Sequence, residues 1–180
     1  MIAGDIPSAR ITLTALDESR VTDRYLRWMN DPHVTQYLES RFSPATMDGL
    51  RSFVESIALS SDTYFFAIVS NVTGEHLGNI KLGPINVHHL RAPVGVIIGE
   101  ESAWGQGFAT EAVAAISGWA FTALGLRKLV AGSYADNLGS IRAFEKAGYR
   151  VEGRHPGDVM KSDGTRGDAV TFGLVSDEAS

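Results

Sequence analysis

Residues 93–111 read Pro-Val-Gly-Val-Ile-Ile-Gly-Glu-Glu-Ser-Ala-Trp-Gly-Gln-Gly-Phe-Ala-Thr-Glu, and their reading decides the fold. Val94, Val96, Ile97 and Ile98 are β-branched and suit a strand. Glu100 to Trp104 form a polar elbow, and Gly105, Gln106, Gly107, Phe108 and Ala109 bring little side-chain bulk to the bend that follows. Backbone amides can therefore converge there. From Ala109 to Leu124, the apolar residues Ala112, Val113, Ile116, Ala120, Ala123 and Leu124 recur at helical spacing. Unpaired N–H groups and the positive end of a helix dipole meet just after the loop. This reads as an anion site suited to a phosphate group, although a small-residue turn before a helix can equally be a plain tight turn.

Two familiar phosphate loops fit poorly. A P-loop needs Gly-Lys followed by Ser or Thr, and that tripeptide does not occur. A dinucleotide fingerprint needs a third glycine where Thr110 stands, and the elbow is too long for its strand-to-helix turn.

The run Trp104 to Ala112 instead resembles the acyl-CoA pyrophosphate loop of the GNAT superfamily of N-acetyltransferases. That pattern is Gln or Arg, two residues, Gly, one residue, then Gly or Ala. Gly107 and Ala109 match, while Trp104 takes the first position, as is usual in the branch resembling ribosomal-protein alanine N-acetyltransferases. That branch also includes polyamine and nucleotide-amino-sugar acetyltransferases. A second run, Asn137 to Tyr149, is similar to the family's Asn-x-x-Ser…Glu-Lys-x-Gly-Phe/Tyr segment. A weaker likeness extends from about Arg10 to Val175.

Composition is compatible with that resemblance. The chain has 180 residues, 44% hydrophobic, which suits one domain over 1–180. No apolar run is long enough to span a membrane, and no secretory signal opens the chain. Cysteine is absent, which excludes disulfides and thiolate chemistry and agrees with a cytoplasmic protein. A formal net charge of −5 argues against nucleic acid as a partner.

Taken in order, Arg10–Leu16 alternates as a strand, and Asp17 can cap a helix running to about Asn30. Asp31-Pro32 opens a short helix to about Leu38, Glu39–Pro44 is a loop, and Thr46–Leu59 is an amphipathic helix. Thr63–Val69 and His76–Ile85 form a hairpin, and Pro93 opens the central strand. Gly125 stops the long helix, and Arg127–Tyr134 is a strand. Asp136 or Asn137 caps a helix Ser140–Lys146, and Tyr149–Glu152 begins another strand. His155–Lys161 and Arg166–Val175 close as a hairpin around Asp163-Gly164, and Ser176–Ser180 reads as a frayed end. Mixed elements without strict βαβ alternation indicate an α+β domain. The resemblance implies the GNAT fold: a mixed, mostly antiparallel sheet of about seven strands, splayed between its fourth (Val94–Gly99) and fifth (Lys128–Tyr134) and flanked by helices.

The resemblance further implies acetyl-CoA as cofactor, with pantetheine along the backbone of Val96, Ile97 and Ile98. The pyrophosphate would sit on the amides of Gln106 to Thr110, in a cofactor loop that starts at Trp104, with Arg142 and Lys146 adding charge; Asn137 would hold the pantetheine arm, and Ser140 and Phe144 complete the cofactor site. Arg142 and Lys146 can equally belong to an exposed helix face. The reaction would be direct attack of a primary amine on the thioester. An amine of pKa about 10.4 is neutral in only about one molecule in 2,500 at pH 7, a cost of roughly 4.6 kcal/mol. An α-amino group of pKa about 7.7–8.0 is about one-tenth neutral. Candidate bases are Glu100 and Glu101, then His88 or His89, and a backbone N–H near Ile98 is the expected oxyanion donor.

Many members carry a tyrosine acid where this chain has Phe144, so Ser140 is the hydroxyl expected at the leaving thiol. The missing tyrosine leaves a non-catalytic CoA-binding module as the alternative. The family's acceptor wall falls on Trp28, Asn30, His33, Tyr37, Arg41 and Phe42, although Trp28 and Phe42 can equally be core and Arg41 a solvated cation. The acceptor is left open between an amino sugar or other small amine and a peptide N-terminus. The Arg41–Phe42 loop tilts toward a small polar molecule. A homodimer is a family-level expectation. The adjacent histidines lack partners at metal-ligand spacing, and no metal is expected.

Overall fold

The computed structural model describes residues 4–176; of the expected frayed end Ser176–Ser180, residues 177–180 lie outside them, while Ser176 is held by its N–H donating to Arg127 O at 3.0 Å. Thirteen main elements follow the chain: β1 (Ile6–Pro7), β2 (Ile11–Ala15), α1 (Asp23–Asn30), α2 (Pro32–Thr35), α3 (Met47–Ala58), β3 (Tyr64–Ser70), β4 (His76–Leu82), β5 (Arg91–Ile98), α4 (Phe108–Leu124), β6 (Lys128–Tyr134), α5 (Leu138–Lys146), β7 (Arg150–Met160) and β8 (Arg166–Val175). The sheet has eight strands in the order β1-β2-β3-β4-β5-β6-β8-β7, not seven. The addition is β1, two residues too short to carry an alternation signal. All neighbours are antiparallel except β5 and β6.

Period-2 alternation sorts the strand side chains onto two cores. On one face, Ile11, Leu13, Phe66, Ile68, Ile80 and Leu82 pack with Val113 and Ile116 of α4 and Phe144 of α5. On the other, Ala67, Phe65 and Ile97 meet Tyr25 and Trp28 of α1 and Leu50 and Val54 of α3. Val113 and Ile116 are fully buried, which contributes roughly 1.5–3 kcal/mol each.

Several boundaries differ from the sequence reading. Asp17 caps only a 3₁₀ turn, Glu18–Arg20, because Val21 then buries into the second core and breaks the run. The following helix starts at Asp23 after Thr22. Glu39–Phe42 is a 3₁₀ turn rather than a loop, and α2 ends at Thr35. Strand β4 stops at Leu82, before Gly83 with its φ of 125° and the N–H-less Pro84. Pro93 lies inside β5 rather than opening it, at the end of the β4 ladder where only its carbonyl is used, accepting from Gly83 N–H. Helix α5 begins at Leu138, capped by Asn137 Oδ1. Strand β7 runs unbroken from Arg150, with bulges rather than a gap. Among the described residues no helix is long and apolar enough to cross a membrane.

Candidate active site

Strands β5 and β6 pair over three positions only: Arg91 with Lys128, Ala92 with Leu129 and Pro93 with Val130. Beyond them the strands part. Along β5, Pro93 O accepts from Gly83, and Gly99 N–H donates to Leu77 O on the β4 side. Strict alternation then turns the N–H and C=O of Val96 and Ile98 into the slot. The backbone of Ile97 faces Asn79 of β4 instead, so the expectation that all three residues offer their backbone to the slot holds for two. Trp104 Nε1 donates to Ile98 O at 2.8 Å. The Val96 N–H and C=O and the Ile98 N–H remain as the open edge.

That edge leads into the glycine loop. Gly105 and Gly107 have φ of 73° and 84°, a conformation that favours glycine. Gly107 is the N-cap of α4 and supplies no side-chain acceptor; the first bond into the helix runs from Glu111 N to Gly107 O at 3.0 Å. The N–H groups of Phe108, Ala109 and Thr110 have no partner among the described residues. Gln106 turns its side chain back to Ser102 O, at 2.6 Å, and away from the cavity. An extended arm with amide groups, ending in an anion, fits this arrangement of strand edge and loop donors.

Arg10 braces the loop from outside. Its guanidinium donates to Gln106 O at 2.9 Å and lies 4.7 Å from the Phe108 ring centroid. Its Nε and backbone N–H both donate to the Glu111 carboxylate. Burial raises the pKa of that carboxyl, but the Arg10 contacts outweigh it and hold Glu111 below the ordinary carboxylate value.

Two cavities flank the parted strands. The first, about 430 Å³, lies over the loop and is also lined by Asn137, Ser140, Arg142 and Lys146. The second, about 540 Å³, opens toward β4 and α3. They share Tyr37, Leu38, Val96, Ile97, Asn137 and Ser140, so Ser140 stands where they meet. Asn137 Oδ1 accepts the Ser140 N–H at 3.1 Å, which leaves the Asn137 amide NH₂ and the Ser140 hydroxyl for the junction. Phe144 lines the second cavity and packs against Tyr149 and Phe172.

Other candidates fall elsewhere. Glu100 and Glu101 line neither cavity; they lie within 4 Å of Arg24 (3.9 Å) and His33 (3.8 Å) respectively. His88 and His89 are exposed in the turn before β5, at the end opposite Ile98, roughly 23 Å away along a seven-residue rise. Trp28 is core, packed on His76 at 4.9 Å and against Gly99. Asn30 bonds to Leu26 and Ala45 and braces a loop. Arg41 is half-buried and lines neither cavity: it donates to Leu38 O, Tyr134 Oη and Met160 O, and stacks on Phe42. Phe42 is exposed rather than core. Burial, countered by Arg41 and reinforced by Glu39, raises the Tyr134 phenol pKa.

The titratable side chains that do line the cavities are His33, Tyr37, Arg142 and Lys146 in the first, and Tyr25, Tyr37, Glu39 and Lys81 in the second. Burial pushes the Tyr25 phenol up to about 12, with Asn79 pulling the other way. Burial lowers the His76 pKa, against the Asn79 contact. Arg10, Asn79 and Lys81 were missed by sequence reasoning. For the last two, alternation along His76–Leu82 carried the signal, because it puts them on one face.

Comparison with known proteins agrees with this geometry. The acetyltransferase (GNAT) domain family matches residues 10–150. An uncharacterized N-acetyltransferase, p20 of Bacillus licheniformis, is 29% identical over 173 residues, 94% of each chain. Uncharacterized N-acetyltransferase YoaA of Bacillus subtilis is 33% identical over 103 residues, 57% of each. Among solved structures, the ribosomal L7/L12 alpha-N-protein acetyltransferase RimL, in complex with coenzyme A, superposes with a TM-score of 0.86 at 21% identity, covering 96% of this chain and 98% of that one. Spermidine N-acetyltransferase from Vibrio cholerae, with CoA and spermine, gives 0.83 at 20%, covering 93% and 96%.

Proposed function

This chain belongs to the GNAT acetyltransferase family and is an N-acetyltransferase whose cofactor is acetyl-CoA, and from that premise we propose direct transfer to a primary amine within a ternary complex. The observation that carries the proposal is the parting of β5 from β6 after Pro93 and Val130, with an open strand edge running into the amides of α4. The Val96 N–H and C=O would hold the pantetheine arm as a missing strand would. The N–H groups of Phe108, Ala109 and Thr110 would hold the diphosphate, with Arg142 and Lys146 adding charge from α5. In a protein of net charge −5, these local donors must do what bulk charge cannot.

When bound, acetyl-CoA supplies an activated acetyl thioester. The chain's own groups orient and protonate. Ile98 N–H is the donor left open for charge that develops beside the slot. Ser140 Oγ, at the junction of the cavities, holds the proton that Phe144 cannot. Asn137 fixes Ser140 by accepting its backbone N–H. The amine enters through the second cavity, and 1–180 acts as one catalytic unit. Calorimetry with coenzyme A and thiol release with a panel of amines test the reading. Binding followed by amine-dependent release supports it. Tight binding with no release for any amine returns the non-catalytic alternative, and no binding removes both.

A further inference from the structure

The second cavity has a chemistry of its own. Asn79 is 1% exposed and lines it, yet its Nδ2 has no hydrogen-bond partner among the described residues, while its Oδ1 is engaged with His76 Nε2 at 2.7 Å. The Tyr25 hydroxyl lies close enough to Asn79 for the amide to lower its pKa, but outside hydrogen-bond geometry from Nδ2. A buried amide left unpaired is costly, and a bound acceptor atom would recover that cost. Lys81 stands two residues further along β4, on the same face, roughly 7 Å away. It lines the same cavity and forms no ion pair among the described residues.

These two donors sit beside the reaction slot. Asn79 is level with Ile97 and Lys81 with Gly95, one strand spacing of about 4.8 Å from β5. A Cβ at Gly95 would meet nothing within 4 Å, so the floor beside Lys81 is open. Phe65, the cross-strand partner of Lys81 on β3, and Met29, Leu50 and Phe53 supply apolar lining. Glu39, the one carboxylate in the lining, already accepts the Tyr134 O–H at 3.0 Å.

We propose that this cavity takes a carboxylate-bearing α-amine, an amino acid with an apolar side chain, its carboxylate held by Lys81 Nζ and Asn79 Nδ2 while its amine faces Ser140. The inference rests on the acetyl-transfer reading and names the acceptor for that site. One further feature agrees with it. A polyamine would bring a second cation toward Lys81, where repulsion in a partly buried site is strong.

The test is thiol release from acetyl-CoA with methionine and phenylalanine against their carboxylate-free counterparts, 3-(methylthio)propylamine and phenethylamine, and against spermidine and glucosamine. The amino acids should be favoured at least tenfold in kcat/KM. Lys81→Met should erase most of that discrimination by raising KM rather than lowering kcat, and Lys81→Arg should retain it. Titration of methionine into the protein–CoA complex supplies a readout free of turnover, and an unchanged CoA affinity shows that each variant is folded. Preference for spermidine or glucosamine, or discrimination untouched by Lys81→Met, overturns the proposal while leaving acetyl transfer standing. Failure to bind CoA or to release thiol with every amine overturns the underlying reading itself.

Discussion

Arg10 and Glu111, 101 residues apart, are joined twice: the Arg10 backbone N–H meets Glu111 Oε1 at 2.7 Å, and its Nε meets Oε2 at 2.8 Å. The pair ties the start of β2 to the first turn of α4, and the same guanidinium holds Gln106 O. Arg10→Ala should therefore loosen the loop without unfolding the sheet. Arg10 is about half exposed, so the loss is discounted to ~1 kcal/mol, about a fivefold weaker CoA dissociation constant. Calorimetry with CoA measures it; an unaltered constant would mean the loop is rigid without the brace.

The same pair makes the loop sensitive to acid. Glu111 has its pKa depressed in the folded chain by Arg10, against its burial. Its contribution is thus fully present above the ordinary carboxylate value and lost as pH falls through the depressed folded one. Thermal unfolding of wild type and Glu111→Gln should show a constant gap in Tm near neutrality that narrows in acid below the ordinary carboxylate range. A gap independent of pH would show that ionisation of Glu111 is not what stabilises.

Local pattern carried much of this molecule and then stopped at identifiable places. The helix from Phe108, the turn at Asp163-Gly164 and the capping Asn137 follow from periodicity, positive-φ glycine and side-chain capping, all within a few residues. What was lost depends on partners distant in sequence. Trp28 leaves the acceptor wall because Gly99 has no side chain to keep the indole out. Arg41 is withdrawn by Tyr134 and Met160, from strands more than 90 residues away. Glu100 and Glu101 sit in a polar elbow next to the loop, but the elbow turns them toward Arg24 and His33. Asn79 and Lys81 were legible as one face of a strand; that this face lines a cavity was not, because it depends on α1, α3 and the chain following α2.

The Gly99–Trp28 approach makes its own prediction. A methyl group at Gly99 would overlap the Trp28 indole, which is buried and also packed on His76. Gly99→Ala should cost about 1–3 kcal/mol in urea unfolding, the usual penalty for overpacking. Trp28 fluorescence, isolated by replacing Trp104 and Trp119, should shift in the same variant. A variant as stable as wild type would mean that the indole has room to move and that its place in the core is not obligatory.

Ser140 separates chemistry from binding. Its backbone N–H, which alanine keeps, makes the helix-cap bond to Asn137, so Ser140→Ala should leave α5 in place. The variant loses only a hydroxyl at the junction of the two cavities. If that hydroxyl supplies the proton for thiol departure, kcat should fall about ten- to a hundredfold, with CoA affinity nearly unchanged. The loss should be smallest at low pH, where solvent can protonate the leaving sulfur, and should not be matched by Asn137→Ala, which removes the cap as well and should weaken both kcat and CoA binding. Equal kcat in wild type and Ser140→Ala across the pH range would remove Ser140 from the proton path and leave solvent as the acid.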